Sequence, residues 1–349
     1  MLESLSSKAI LTKVKAMTGR MLGDEDYEQL MHLDSVAACA AYLKGQPEYA
    51  KVLRDVQETQ IHRGALEALL QKTLFDQFIR LERYAGRSNR FFRDSYTAKL
   101  EIRCIGNCIR LFNSGSPNAF LQSVPGYIVP YLSMDVSALN NAHDYPALLE
   151  ALRRTPYLKV LEPLGLGTEE AVSLPVAEHA LYQYYYRYVS GMIDRQFRGS
   201  TRRELQNIFT AQAQLQDIQA VFRLKSFFGG SREEIERILL NIPGPLPRRL
   251  MRAILDAPDG DGVLALLAGS RYRKYFDGGR FVYIENSTGL IRHDLAKRYL
   301  TFSQNPAAAF AAFLVLREIE IENLMAIIEG ARYRLGASEI RPLLIRGSA

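Results

Sequence analysis

Apolar residues recur at spacings of three and four from one end of this sequence to the other, and this periodicity most constrains the fold. Alternation of β-branched and polar residues, the pattern of a half-buried strand, is almost absent. The clearest apolar stripe covers residues 306–335, where Pro306 opens the segment and Gly336 follows it. Proline fits the first helical turn, and glycine readily adopts the left-handed conformation that ends many helices. The sequence therefore predicts an all-α protein.

The stretch "EIEIENLMAIIEGARYRLGASEIRPLLI" at 318–345 predicts a long helix, a glycine break and a second, short helix. Ser338 is predicted to cap that second helix. The polar residues around the stripe mostly fall on other faces of the long helix and are predicted to be solvated: Arg317, Glu320, Glu322 and Asn323.

The same order of segments occurs three times along the chain. A short helical segment with a tyrosine and an apolar end is found at 42–53, 151–161 and 266–276, with Tyr49, Tyr157 and Tyr272 in matching places. An amphipathic helix is predicted next, at 57–81, 175–197 and 283–300, and a longer one after it, at 89–112, 202–227 and 306–335. The order and spacing predict three similar helical units, 1–120, 121–240 and 241–349.

The second and third units close alike, with a long helix, a glycine break, a serine and then Glu-Ile. In the second unit, Ser231 and Glu234 match the S-x-x-E capping box. The first unit has the break but no capping box, and the segment 123–143 fits the repeat badly. Stretches rich in proline and glycine near 116–125 and 228–250 are predicted to connect the units. The alternative is chance similarity among amphipathic helices.

Composition narrows the class of protein. A chain of 349 residues with 48% hydrophobic and 23% charged residues can bury a substantial core in two or three domains. The three cysteines, Cys39, Cys104 and Cys108, have neither metal-site nor disulfide spacing, which indicates core packing in a reducing compartment. The N-terminus lacks the apolar core of a signal peptide, and the apolar run at 307–316 is too short to cross a membrane.

Motifs for catalysis, cofactors and metals are missing from the sequence. Neither a phosphate-binding glycine loop nor a G-x-S-x-G elbow occurs, and the histidines lie far apart without ligand spacing. Asp256, Asp259 and Asp261 lack the terminal glutamate of a calcium loop and are predicted to form a solvated turn. We therefore predict no cofactor, no metal and no catalytic residue, although an enzyme whose ionisable groups converge only in three dimensions stays an open alternative.

Two arginine clusters are the candidate partner-binding residues. The first has spacings of three and four and comprises Arg80, Arg83, Arg87 and Arg90, with Arg93 beyond; the second is Arg248, Arg249 and Arg252. Arginines on an exposed helix usually form a solvated face with local ion pairs, and a docking surface for acidic protein loops is the functional interpretation. The net charge of +6 favours an anionic partner without identifying it.

The tyrosine run "LYQYYYRYV" at 181–189 has two interpretations. Aromatic rings can stack on nucleobases, but the helical spacing favours packing, with the hydroxyls at the rim of the core. A nucleic-acid-binding protein usually has a stronger basic excess than a pI of about 9.1 and an identifiable reading module. The sequence therefore favours a protein partner over nucleic acid.

With these features in place, the chain resembles a known family. The segments "KAMTGRMLGDEDYEQLMHLDSVAACAAYLKG", "RRTPYLKVL" and "EIENLMAIIEGARYRLGASEIRPLLI" occur in the order found in the C subunits of prokaryotic V/A-type rotary ATPases and their eukaryotic d counterparts. The resemblance spans nearly the whole chain. It implies three helical domains about a pseudo-threefold axis, arranged as a funnel.

The resemblance also implies a function. The chain would be a non-catalytic part of the rotor, a socket that seats the central shaft of subunits D and F on the membrane rotor ring, peripherally on the cytoplasmic face. ATP hydrolysis or synthesis would take place in other subunits, in keeping with the missing phosphate loop. The alternative from the residues alone is a basic helical-repeat scaffold for nucleic acid, whose affinity would fall steeply with salt.

Overall fold

The computed structural model of the protein describes residues 2–165, 173–276 and 283–346. Within these ranges all regular secondary structure is helical, and no β-strand is present. The all-α class predicted from the apolar periodicity is confirmed.

The α-helices are, in chain order, α1 (Leu2–Thr18), α2 (Asp24–Met31), α3 (Val36–Lys44), α4 (Ala50–Leu53), α5 (Arg63–Glu82), α6 (Asn89–Asn113), α7 (Phe120–Ser123), α8 (Val136–Asn140), α9 (Tyr145–Ala151), α10 (Leu158–Leu161), α11 (Leu174–Gln196), α12 (Gly199–Arg223), α13 (Arg232–Ile238), α14 (Arg248–Asp256), α15 (Gly260–Ala268), α16 (Ile284–Phe302), α17 (Pro306–Tyr333) and α18 (Ala337–Ile340). A π-helical turn, Leu224–Phe228, extends α12. The long helices lie close to their predicted positions.

The long helices form three hairpins, α5–α6, α11–α12 and α16–α17, which pack in a closed arrangement. The second helix of each hairpin packs against the first helix of the next one: α6 against α11, α12 against α16, and α17 against α5. The last of these contacts joins the two ends of the chain. Helix α1 also packs against α17, so the N-terminal segment lies on the C-terminal hairpin.

Three groups of short helices cover the far ends of these hairpins. Helices α2–α4 share an apolar core with the C-terminal half of α17, including Leu30, Leu43 and Leu324. Helices α13–α15 form another core with the C-terminal half of α12. Helices α8–α10 belong to the main core with α6 and α11. The three groups of short helices therefore pack on different long helices.

The helix ends confirm one predicted cap and correct another. The Ser231 hydroxyl accepts from the backbone N–H of Glu234, whose carboxylate accepts from the N–H of Ser231, which is the predicted capping box. At the end of α17 the left-handed residue is Arg334, with φ of 57°, whereas Gly336 has φ of −73°. Gly336, and not Ser338, is the N-cap of α18, and the Glu339 carboxylate accepts from its N–H. Both predictions about this break were wrong because the chain turns two residues earlier than the glycine.

The predicted solvated face of α17 is also largely wrong. Arg317, Glu320 and Asn323 are buried, with 0%, 1% and 3% of their surfaces exposed. Helix α17 is in contact with α1, α2, α3, α5, α12 and α16, so neighbouring helices surround it on most sides. A helix in this position buries its polar residues as well as its apolar stripe, and those residues need partners.

Candidate partner-binding site

The centre of the molecule is a narrow space between helices of all three hairpins. A cavity of about 40 Å³ is lined by α5, α6, α11, α12 and α17. Its walls include Tyr96 and Lys99 of α6, Gln212 of α12, and Val315 and Glu318 of α17. These five helices therefore stand around one axis, with polar side chains close to it.

Lys99 and Glu318 form an ion pair at this axis, with 2.6 Å between Nζ and Oε1. The exposed fractions of the two side chains are 30% and 18%, so water has limited access. Burial opposes ionisation of Glu318, but Lys99 stabilises the carboxylate strongly enough to lower its pKa below the usual value. The pair ties the first hairpin to the third by a charge-assisted hydrogen bond.

Each long second helix carries a buried carboxylate that holds the neighbouring short-helix segment. Glu101 of α6 accepts from the N–H and hydroxyl of Ser133 and from the Tyr157 hydroxyl. Glu320 of α17 accepts from the N–H of Leu22 and the Tyr49 hydroxyl. Each carboxylate thus accepts from one loop N–H and from one tyrosine hydroxyl. The two tyrosines, Tyr49 and Tyr157, have matching places in the repeated short helical segments.

The third carboxylate, Asp217 of α12, accepts from the N–H groups of Leu240 and Asn241, at 2.7 and 3.1 Å. Burial raises its pKa to about 6, although both backbone donors act in the opposite direction. The matching tyrosine, Tyr272, does not reach it. Tyr272 is half-buried, and its hydroxyl accepts from Arg271 at 2.7 Å.

Arg317 completes the buried polar cluster at the junction of the chain ends. Its guanidinium donates to Glu320 and, at 3.3 Å, to the Tyr49 hydroxyl. Burial opposes the charge, but Tyr49 and Glu320 raise the pKa of Arg317 above its ordinary value. The sequence analysis missed this cluster because its members lie in segments about 270 positions apart.

A larger cavity, of about 560 Å³, lies beside the axis between α5, α6, α11 and the loop 123–128. Its lining combines aromatic side chains with Arg103, Arg110 and Glu178. A smaller cavity of about 190 Å³ lies between α12, α16 and α17, where Gln216, Gln219, Arg292 and Glu322 make the lining mainly polar. Arg292 and Glu322 form an ion pair across it. Polar, partly open cavities of this kind suit a protein partner or a small polar ligand.

The turns of the three hairpins meet at one end of the molecule, here called the turn end (83–88, 197–198 and 303–305). The rings of Phe91 and Phe197 are 5.2 Å apart, and the Thr201 hydroxyl donates to Asn305 at 2.9 Å. Phe302 is 75% exposed at this end. The turn end is therefore a compact surface made by all three hairpins.

The first arginine cluster lies at this turn end, because α5 ends and α6 begins there. Arg83 is exposed and Arg80 is half-buried, and neither pairs with a carboxylate of the described residues. Arg90 lies 3.5 Å from Asp94, and Arg93 pairs with Glu82 at 2.6 Å. The side chain of Arg87 lies outside the described part of the structure.

The second arginine cluster lies elsewhere. Arg248, Arg249 and Arg252 are exposed on the polar face of α14, whose other face packs into the core formed with α12. None of the three pairs with a carboxylate in the ranges that the structure describes. The structure therefore separates the two predicted clusters into two surfaces.

The cysteines and the tyrosine run pack as predicted. Cys39, Cys104 and Cys108 are free and buried, and burial raises the pKa of the Cys104 thiol to about 11. Tyr185 and Tyr186 are buried, and the rings of Tyr184 and Tyr188 stack on each other at the edge of the core. These rings are engaged with the protein itself.

The aspartates of 256–261 serve local structure. Asp259 caps α15 through the N–H of Gly262, at 2.8 Å, and Asp256 pairs with Arg232. Within the described ranges, no group of three His, Cys, Asp or Glu side chains is arranged to hold a metal ion. Among the described helices, none is both long and apolar enough to cross a membrane.

Comparison with known proteins agrees with this architecture. The sequence pattern of the family described as "ATP synthase (C/AC39) subunit" matches residues 10–343. The C subunit of the A-type ATP synthase of Methanothermobacter thermautotrophicus is 22% identical over 332 residues, covering 92% of this chain and 82% of that protein. The protein of the same name from Methanosphaera stadtmanae is 21% identical over 344 residues, covering 95% and 86%. The match extends over nearly all of the helices described above, and the chain belongs to the ATP synthase (C/AC39) subunit family.

Proposed function

We propose that this chain is the non-catalytic rotor subunit of a V/A-type rotary ATPase, a socket that joins the shaft of subunits D and F to the membrane rotor ring. Family membership and relatives named as C subunits of A-type ATP synthases support this assignment. The observation that carries it is the closed packing of three hairpins, in which α17 returns to α5 and the first short helices.

A closed arrangement is mechanically suited to torque. Densely packed helices resist deformation. In the closed arrangement, a hairpin can separate only if its contacts with both neighbouring hairpins break. The Lys99–Glu318 pair and the buried carboxylates connect segments of different hairpins, so that a load on one is shared by the others.

We assign the two partners to opposite ends. The end with the open polar cavities receives the shaft, because the cavity between α5, α6 and α11 and the one between α12, α16 and α17 offer polar contacts to a partner there. The turn end sits on the ring. Its exposed Phe302 can enter an apolar contact, and Arg80, Arg83, Arg87 and Arg90 can pair with acidic loops.

The second cluster, Arg248, Arg249 and Arg252, belongs in this proposal to the shaft side. It lies on the short helices that pack on the C-terminal half of α12, away from the turn end. Arginines that are exposed and pair with no described carboxylate are available to steer an acidic partner towards the opening.

The three units 1–120, 121–240 and 241–349 are proposed to descend from one repeated unit. Glu101 of α6 and Gln214 of α12 support this relation, because each accepts from a backbone N–H 32 positions further along the chain. The cyclic packing order of the hairpins supports it as well. The chain would act peripherally on the cytoplasmic face, in ion transport driven by or driving ATP turnover in other subunits.

The test is a binding experiment with purified full-length chain, the D–F shaft and the detergent-solubilised ring, in moderate salt. We expect retention by both rotor parts, no retention by duplex or single-stranded nucleic acid, and no ATP hydrolysis by the chain alone. Absence of binding to shaft and ring would refute the socket. Salt-sensitive nucleic-acid binding in its place would favour the scaffold alternative.

A further inference from the structure

The large cavity between α5, α6 and α11 is lined by an arginine, Arg103, that forms no ion pair with the described residues. Arg103 lines this cavity of about 560 Å³, is exposed to it, and has no carboxylate within 4.0 Å among the described residues. Its guanidinium offers five N–H donors in a fixed planar fork, and none of them donates to a described residue.

Carboxylates around the cavity pair with other cations. Glu318 pairs with Lys99 at 2.6 Å, Glu178 lies 3.6 Å from Arg110, and Asp76 pairs with Lys72 at 2.7 Å. Gly106 allows the Glu178 carboxylate to lie close to α6, because a Cβ added at Gly106 would be 3.1 Å from its Oε1 atom. Arg103 contributes at longer range to the lowered pKa of Glu318, but none of these three carboxylates forms an ion pair with it.

Three tyrosines line the same cavity. Tyr96, Tyr127 and Tyr182 line it, and none of their hydroxyls forms a hydrogen bond to the described part of the chain. Burial raises the pKa of Tyr127 and Tyr182, and the nearby Arg103 charge acts against that increase. The hydroxyls are thus protonated donors at neutral pH, in the electrostatic field of one guanidinium.

The remaining lining is mixed, with Gln71, Asn107 and Ser123 beside apolar residues. Phe75, Leu100, Val124 and Ile128 face the cavity, so that a ligand entering it buries carbon atoms as well as a charged group. A free guanidinium, unpaired phenols and an apolar wall together fit an acidic side chain with an apolar neighbour, because a carboxylate accepts hydrogen bonds from arginine and phenol alike.

We propose that this cavity receives a carboxylate of the shaft polypeptide, which Arg103 binds and the hydroxyls of Tyr96, Tyr127 and Tyr182 orient. Tyr96 also lines the small central cavity, so the site opens next to the axis along which the shaft would enter. The inference rests on the proposed socket function and deepens it by naming the anchoring residues.

The experiment measures the affinity of full-length chain for the purified D–F shaft by titration calorimetry. Arg103→Gln should weaken binding by about tenfold to a hundredfold, since hydrogen bonds to charged groups are among the strong ones. Arg103→Lys should recover part of the loss, because lysine keeps the charge but not the planar fork. The matched control is Arg154→Gln, at an exposed arginine outside the cavity lining, which should stay within about twofold.

Two further arms identify the ligand. Shaft variants with single Asp→Asn or Glu→Gln changes are titrated against wild type and Arg103→Gln, and one of them should lose affinity only with the wild-type chain. Inorganic phosphate is titrated alone, and no binding dependent on Arg103 is expected. The triple variant Tyr96→Phe, Tyr127→Phe, Tyr182→Phe should weaken shaft binding while the thermal midpoint stays close to wild type.

The outcomes separate the two proposals. If wild-type chain fails to bind the shaft, the socket function fails and this inference with it. If wild-type binds and Arg103→Gln binds equally well, the socket stands and the assignment of Arg103 is overturned. Binding of phosphate that disappears in Arg103→Gln would show a small-anion site and overturn the assignment to a shaft carboxylate.

Discussion

Tyr49 donates its hydroxyl hydrogen to Glu320, although the two residues lie 271 positions apart. The corresponding contact from Tyr157 to Glu101 spans only 56 positions, at 2.7 Å. The short helices around Tyr157 follow α6, the long helix on which they pack. The short helices around Tyr49 precede α17, on which they pack, by most of the chain. The Tyr49–Glu320 bond therefore marks the place where the arrangement of hairpins closes on itself.

Removal of the Tyr49 hydroxyl tests the importance of this closure. Tyr49→Phe should lower the free energy of unfolding by about 1–3 kcal/mol, because Glu320 and Arg317 would lose a partner in a fully buried place. Urea denaturation followed by circular dichroism measures it. Tyr272→Phe is the matched control at the third position, where the ring is half-buried, and should change stability by about 0.5 kcal/mol or less. Equal effects of both substitutions would contradict the closure role.

The central ion pair can be measured by a double-mutant cycle with Lys99→Met and Glu318→Gln. We expect a coupling free energy of about 1 kcal/mol or more, since both side chains are partly shielded from water. The comparison is the exposed pair of Arg153 and Glu150, which should couple by less than about 0.5 kcal/mol. A central coupling no larger than the exposed one would show that the Lys99–Glu318 pair does not stabilise the axis.

Asp217 gives a pH dependence with a defined sign. Its pKa is raised from 3.8 to about 6, so in the intervening range the folded state binds a proton that the unfolded state has released. The contribution is fully present below about pH 4 and is lost as the pH rises towards 6, up to about 3 kcal/mol.

The measurement compares wild type with Asp217→Asn in urea unfolding at several pH values between 4 and 7. Asparagine cannot titrate but keeps one oxygen to accept from Leu240 or Asn241. We expect wild type to lose stability relative to the variant as the pH rises. A difference between the two proteins that stays constant over this range would contradict the raised pKa.

Gly244 should tolerate no side chain. A Cβ there would lie 2.5 Å from Oε1 of Gln214, the atom that accepts from the N–H of Leu246, and 3.0 Å from the backbone oxygen of Thr210. Gly244→Ala should destabilise the protein by about 1–3 kcal/mol, through overpacking and the loss of that buried hydrogen bond. Gly126→Ala, with no atom within 4 Å of the added Cβ, is the control and should be neutral or slightly stabilising.

The proposed orientation predicts separate roles for the two arginine surfaces. Arg83→Glu with Arg90→Glu should weaken association with the ring about tenfold and leave shaft affinity within about twofold. The combination Arg248→Glu, Arg249→Glu and Arg252→Glu should weaken shaft affinity about tenfold and leave association with the ring within about twofold. Both variants should fold with wild-type thermal stability, because these side chains are exposed. Loss of ring binding by the α14 variant would reverse the assigned orientation.

The positions of the long helices could be predicted from the sequence because their information is local. Helix α6 at Asn89–Asn113 and α11 at Leu174–Gln196 lie within a few residues of the predicted segments. The capping box of Ser231 and Glu234 is likewise a pattern of four consecutive residues. Periodicity and capping act between neighbours in the chain, so the sequence alone determines them.

Only the tertiary structure decided which polar residues are buried and what they bind. Arg317 and Arg103 are both helical arginines in the sequence, yet the first is fully buried beside Tyr49 and the second is open to a cavity. The difference depends on which helices surround α6 and α17, and those contacts join segments as much as 271 positions apart. A local pattern contains no information about such partners, so burial, pKa and the docking cavity emerge only when the hairpins have packed together.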